Sequence, residues 1–275
     1  MRISPSAPLY LESSCFKYFG IQIFITLIYG ECILSKIIDS PIDQIKDINT
    51  WKQFLAEFFA TGFFVFIGSG AVISSGIASS GAFDTGRLVA IALAHGLAFC
   101  LLAYSVGHIS GGYLNPAITI AAIINRKISW IRGNLFIVGQ IAGGIFAALI
   151  LKSVIPDIHE GNLGAHGLGE GVSVAMGFGI ELIFTFLLSF VVFATAMDKR
   201  GATVMAPVAI GITVAVVHLV AVPFTGAGIN PARSLGPAIA SGFWVDHWIY
   251  WVAPILGAVL GGTLYQLIFA EKAES

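Results

Sequence analysis

Apolar residues gather into six runs of about twenty, over 51–75, 87–106, 130–151, 172–196, 202–222 and 248–269. A helix rises about 1.5 Å per residue, so some 20 residues cross the ~30 Å of hydrocarbon in a bilayer. Each run therefore predicts a membrane-spanning helix. Two shorter apolar stretches remain, over 114–124 and 229–240. They are too short to span but long enough to reach the midplane as re-entrant segments. Polar residues between the runs mark the connections.

Composition agrees with this pattern. Hydrophobic residues make up 57% of the 275 and charged residues 11%, with 32 glycines besides. A soluble domain carries about 25% charged residues to cover its surface. A soluble enzyme, a disordered chain and a nucleic-acid binder are therefore all disfavoured. The net charge of −1 offers no basic field for phosphates. Cys15, Cys32 and Cys100 are odd in number and lack metal-ligand spacing, so neither a disulfide framework nor a metal site is expected. No cofactor-binding motif is present either.

The sign of the charges gives an orientation. Lys46, Lys52, Arg126, Lys127, Arg132, Lys199, Arg200 and Lys272 fall on one side of the predicted spans. Arg87, Lys152 and Arg233 fall on the other or at depth. The first set is expected to be cytoplasmic, with both termini of the six-helix core, in an integral multi-pass protein of the plasma (inner) membrane.

The chain repeats itself. Asn115-Pro116-Ala117 recurs 115 residues later as Asn230-Pro231-Ala232, and Gly96 pairs with Gly211 at the same offset. Gly143 and Gly257 stand 114 apart, and Glu57 and Glu181 are each followed by Thr four residues on. Each half, about 51–152 and 171–269, has three spans. An odd number forces the second half in from the opposite side, so the repeat is inverted about an axis in the membrane plane. The predicted fold is an all-α membrane protein: six transmembrane helices plus two re-entrant half-helices in an inverted repeat. Residues 1–50 stand outside the repeat, and 51–275 form the membrane domain that carries it. The apolar stretch 19–29 is short and interrupted, and a poorly structured N-terminal extension is expected there.

Asn is a good N-cap and Pro suits the first helical position, so each half-helix is expected to begin at its Asn. Inverted symmetry brings the two N-termini together near the midplane. Each carries roughly +0.5 elementary charge, and two such ends in low dielectric repel cations and hydronium while a neutral polar molecule passes. The Asn carboxamides, if held by backbone, donate to its oxygen.

The stretches Ser-Val-Gly-His-Ile-Ser-Gly-Gly-Tyr-Leu-Asn-Pro-Ala (105–117) and Gly-Ala-Gly-Ile-Asn-Pro-Ala-Arg-Ser-Leu-Gly-Pro-Ala (226–238) resemble the aquaporins, the major intrinsic proteins, over about 51–269. In aquaporin-type pores half-helix dipoles and an Arg form such a barrier. The resemblance implies one pore per protomer, a homotetramer and a passive water channel rather than an enzyme. It also implies an outer selectivity filter of His95, His218, Ala227 and Arg233, a set similar to that of the hybrid intrinsic proteins. Three donor-rich side chains favour water over glycerol, whose carbons need an apolar wall. Ser234, Ala238 and Tyr250-Trp251 also resemble the water-channel branch. Two imidazoles beside Arg233 further suit ammonia or hydrogen peroxide and raise the question of a pH response. Ala227 occupies the position of the family's mercury-sensitive residue, and Cys100 is expected off the filter face.

Glu57 and Glu181 are the acids deep inside predicted spans. Non-helical backbone before each half-helix exposes N–H groups that need acceptors. One Glu per half suits one loop per half, with His108 expected to help brace the first loop. Gly139–Gly143 and Gly257–Gly261 have the small-xxx-small spacing of close helix contacts. The competing function classes are a facilitator for glycerol or another small neutral solute, an ion-coupled secondary transporter and, last, a membrane enzyme. A transporter needs a coupling-ion site, and the two intramembrane carboxylates are already assigned to loops. An enzyme needs a nucleophile–base pair or metal spacing, and the sequence offers neither.

Overall fold

The computed structural model describes residues 41–76 and 84–271. A short unit ends at Asp47, and a larger one begins at Ile48. Of the first unit, helix α1 (Pro41–Lys46) is described, with Asp43 in its first turn and Lys46 in its last, as the helix dipole favours. The extension expected over residues 1–50 thus lies outside the described residues for its first forty positions. Its last ten are mostly helical.

The second unit contains α2 (Ile48–Ser74), α3 (Thr85–Val106), α4 (Pro116–Ile124), α5 (Trp130–Val154), α6 (Asp157–Glu160) and α7 (Val174–Val192). It continues with α8 (Ala206–Thr225), α9 (Pro231–Ser241) and α10 (Ile249–Ile268). Among the described residues six helices are long and apolar enough to cross a membrane: α2, α3, α5, α7 with its continuation, α8 with its lead-in, and α10. The protein is an integral, multi-pass membrane protein. Helices α4 and α9 are the two half-helices. The boundaries follow local chemistry. Ser129, Ser173 and Asp84 cap α5, α7 and α3 through their side chains. The fifth span ends three residues later than the apolar run suggests, at Thr225. Pro223 lies in its last turn, where the helix can accommodate it, and the left-handed Gly226 (φ 80°) closes it.

The two halves interlock. Half-helix α4 packs on α10 of the other half, and α9 packs on α5. Glycines set the spacing. A Cβ on Gly96 would stand 2.6 Å from the Gly211 carbonyl oxygen, and one on Gly211 would stand 2.6 Å from the Gly96 oxygen. The two repeat-related glycines thus meet where α3 crosses α8. In α5 a Cβ on Gly139 would approach Phe54 O at 3.0 Å, and one on Gly143 would collide with Phe58 O. In α10, Gly257 and Gly261 face Leu182 O and Phe186 O in the same way. Cys100 packs against Gly211.

The Gly143 neighbour is rigid helix backbone, so Gly143→Ala must push α2 and α5 apart. Overpacking of this kind costs about 1–3 kcal/mol. A lower midpoint of heat aggregation in detergent is the expected result, and an unchanged midpoint would contradict this packing.

Beyond Val192 the fourth span widens into a π-helical turn, Phe193–Met197, and ends at Asp198. Arg200 bonds Asp198 through Nε (3.0 Å) and Nη2 (2.6 Å), and the Tyr265 hydroxyl donates to the same carboxylate at 2.8 Å. The bonds from Arg200 hold the Asp198 carboxyl well below the usual carboxylate range. This cluster ties the α7–α8 connection to the end of α10.

Candidate functional site

The half-helix starts are built by their own Asn residues. Asn115 and Asn230 have extended backbone (φ −152° and −151°) and cap α4 and α9. Asn115 Oδ1 accepts from Ala117 N at 2.9 Å. Asn230 Oδ1 accepts from Ala232 N at 3.0 Å and Arg233 N at 3.3 Å. The amide nitrogens reach across. Asn115 Nδ2 donates to Ile229 O and Asn230 Nδ2 to Leu114 O, both at 2.8 Å. A carboxamide NH₂ has two hydrogens. One on each Asn is therefore committed to the opposite loop, and one is left for an oxygen in the pore.

Leu114 and Ile229, just before the Asn residues, have positive φ of 52° and 40°. Such a conformation costs a branched side chain of order 1–3 kcal/mol and persists only where surrounding bonds impose it. Two buried carboxylates supply those bonds. Glu57 Oε2 accepts from Leu114 N at 2.8 Å and Gln140 Nε2 at 2.7 Å. Its Oε1 accepts from Tyr113 N at 3.0 Å and Ser110 Oγ at 2.6 Å. Glu181 Oε2 accepts from Ile229 N at 2.6 Å. Its Oε1 accepts from Gly228 N at 2.8 Å and Thr225 Oγ1 at 2.7 Å. Every partner is a donor, so both carboxylates act as acceptors only.

His108 is not part of this brace. It is exposed in the turn after α3 and makes no hydrogen bond to the loop among the described residues. Ser110, two residues on and half-buried, takes that place because its short hydroxyl reaches Glu57 directly.

His95, His218 and Arg233 come together, with Ala227 in the loop that leads to α9. The three polar side chains are each 1% exposed. His95 Nδ1 lies 2.8 Å from Ile91 O, and His218 Nδ1 lies 2.8 Å from Val214 O. A carbonyl only accepts, so each Nδ1 carries the proton and each Nε2 presents a lone pair. Arg233 Nε donates to His95 Nε2 at 3.2 Å, and Arg233 Nη1 donates to Gly164 O at 3.0 Å. The two imidazoles stack with centroids 4.1 Å apart and planes 28° apart. His218 Nε2 has no partner among the described residues. A Cβ on Gly68 would overlap the His95 ring, so a glycine is needed on α2 to seat it. Ala227 is fully buried at φ 58°, with its N–H on Thr225 Oγ1 at 3.1 Å.

A cavity of about 290 Å³ opens on one side of this constriction, lined by Asn162, Gly164, His166, Gly226, Phe243 and Arg233 among others. Another of about 110 Å³ is lined by Phe99, Tyr113, Ile118, Val192, Met197 and Ile210. The arrangement gathers one buried guanidinium, two imidazoles and two Asn amides, with Arg233 lining the 290 Å³ cavity. It offers hydrogen bonds to a small polar molecule and a positive barrier to a cation.

Sequence reasoning did not single out Ser110, Gln140, Thr225 or Gly164. Gln140 carried a signal, as an amide in an otherwise apolar run. Thr225 and Gly164 act through geometry that no pattern announces.

The sequence model of the family described as Major intrinsic protein matches residues 44–265. The chain is 41% identical over 250 residues to aquaporin-4 of Mus musculus, covering 90% of this chain and 77% of that protein. It is 39% identical over 235 residues to aquaporin-1 of Ovis aries, covering 84% and 86%. The aquaglyceroporin of Plasmodium falciparum, an X-ray structure, aligns with TM-score 0.67 over 80% of this chain and 96% of that one. At 22% identity that likeness speaks for the fold alone.

Proposed function

Because the chain belongs to the major intrinsic protein family, whose members are channels for water or small solutes, we propose that it is a passive water channel excluding protons and ions. The observation that carries the choice of water is the constriction. His95, His218 and Arg233 converge at 1% exposure each, with Arg233 bonded to His95 rather than withdrawn from it. Such a wall matches a molecule that is hydrogen-bonding on every side and leaves little apolar surface for the carbons of glycerol. His95, His218, Ala227 and Arg233 are the selectivity filter in this reading. Asn115 and Asn230, with the Pro and Ala that follow each, orient water at the midplane. Glu57 and Glu181 brace the two loops. Ammonia and hydrogen peroxide, similar to water in size and polarity, are further permeants.

The channel domain is the 51–275 portion. The distribution of lysines and arginines supports a reading with both of its termini cytoplasmic, in a plasma (inner) membrane. Family resemblance supports a homotetramer.

Proteoliposomes carrying the protein are expected to shrink rapidly under an osmotic step, without proton conductance. Shrinkage at the rate of empty liposomes would refute the reading. His95→Phe removes the acceptor for Arg233 Nε and is expected to alter ammonia flux more than water flux. His95 Nε2 acts as an acceptor, so water flux should be level between pH 5.5 and 7.5. A twofold change over that interval would show that one imidazole titrates in the filter.

A further inference from the structure

The repeat extends to a polar clamp that differs between the halves. Thr119 and Ser234 lie four residues after the two Asn caps and are 115 apart. Thr119 Oγ1 donates to Asn115 O at 2.9 Å, and Ser234 Oγ donates to Asn230 O at 3.2 Å. Each hydroxyl also receives an outside donor. For Thr119 it is Gln140 Nε2 at 3.0 Å, from α5 within the membrane. For Ser234 it is His166 Nδ1 at 2.8 Å, from the connection between α6 and α7. Both residues of the second clamp are buried, His166 at 4% exposure and Ser234 at 0%.

His166 is held on one face by its ring neighbours. Its ring lies against Tyr250, with centroids 5.1 Å apart and planes at 30°, and a Cβ on Gly226 would meet it at 2.7 Å. The Tyr250 hydroxyl in turn donates to Thr225 O at 2.8 Å. Two residues before His166, Gly164 O receives Arg233 Nη1. One segment thus holds both Arg233 and the residue after it. Burial and the neighbouring Arg233 keep the His166 imidazole well below its usual range, as does the nearby His218. A neutral ring has one N–H, and the Ser234–Asn230 bond orients it onto Ser234. His166 Nε2 is then an acceptor without a partner among the described residues, in a residue that lines the 290 Å³ cavity.

We infer that His166 is a positioning residue for the filter: through Ser234 it fixes the first turn of α9 and so the place of Arg233, as Gln140 does from within the membrane for α4. This rests on the water-channel reading. It makes the filter half of the pore the half held by a connection rather than by a spanning helix.

The test measures water and glycerol permeability in parallel on reconstituted full-length protein. Ser234→Ala removes a single oxygen and His166→Leu removes the donor. Each is expected to raise the glycerol-to-water ratio by about fivefold, the factor that one lost hydrogen bond brings. His166→Asn keeps a nitrogen donor close to the Nδ1 position and is expected to stay within about twofold of the parent. Thr119→Val, which breaks the matching clamp in the other half, is expected to change water flux without changing the ratio. A merely structural role would lower both fluxes together. An unchanged ratio in Ser234→Ala overturns the inference, as does His166→Asn behaving like His166→Leu. Lack of water flux in the parent refutes the channel reading instead, so the two failures are distinguishable.

Discussion

Replacing Glu181 by leucine is expected to leave no folded channel in the membrane. The carboxylate receives Thr225 Oγ1 and the backbone N–H groups of Gly228 and Ile229. Each buried donor left without a partner costs roughly 1–3 kcal/mol. Three of them approach the ~5–15 kcal/mol that separates folded from unfolded protein. Glu181 is fully buried, so solvent does not stand in for the lost acceptor. The strained Ile229 (φ 40°) would also lose the bond that imposes its conformation. Glu181→Gln is milder, because one accepting oxygen survives while an NH₂ faces a backbone N–H. The measurement is the monodisperse fraction after detergent extraction, with the order parent, Gln, Leu. Parent-like yield and water flux from Glu181→Leu would contradict the bracing role.

Arg233→Ala is expected to have the largest effect on selectivity. Two charges 4 Å apart interact by about 4 kcal/mol at an effective dielectric constant of 20. Half-helix α9 retains its own positive end, worth roughly half a charge. That part of the barrier is unchanged, and water entering the widened constriction screens part of the rest, so the net loss is about 1.4–2.8 kcal/mol, or about 10–100-fold in cation and proton leak. Glycerol flux should rise with it, since a long side chain leaves the constriction. The substitution also strips His95 Nε2 and Gly164 O of their donor. The double variant Arg233→Ala/His95→Ala separates loss of charge from the orphaned imidazole. A pH-sensitive dye in the liposomes reads the leak, and parent-like leak and glycerol flux in both variants would sink the assignment.

Much of the fold was legible because its causes are local or periodic. Span lengths follow from the bilayer, and Asn-Pro marks a helix start wherever it occurs. Inversion follows from an odd number of spans per half. Glu57 and Glu181 stood out because a carboxylate inside an apolar run needs a reason. Less was legible where a side chain's role depends on which turn faces the loop. His108 and Ser110 are two residues apart at the end of α3, yet one is exposed and the other bonds Glu57. The bond between Arg233 and His95 joins residues 138 apart. The stack of His95 on His218 depends equally on the α3–α8 crossing at Gly96 and Gly211, which sequence spacing does not measure.

The reciprocal bonds of Asn115 to Ile229 O and of Asn230 to Leu114 O also bear on how the protein is made. While the ribosome has delivered only the first three spans, the Leu114 carbonyl and one Asn115 hydrogen have no counterpart. The residues that satisfy them emerge more than a hundred positions later. The first re-entrant loop is therefore expected to complete its hydrogen bonds only once the second is in place. Assembly of the pore is a late step, coupled to completion of the chain.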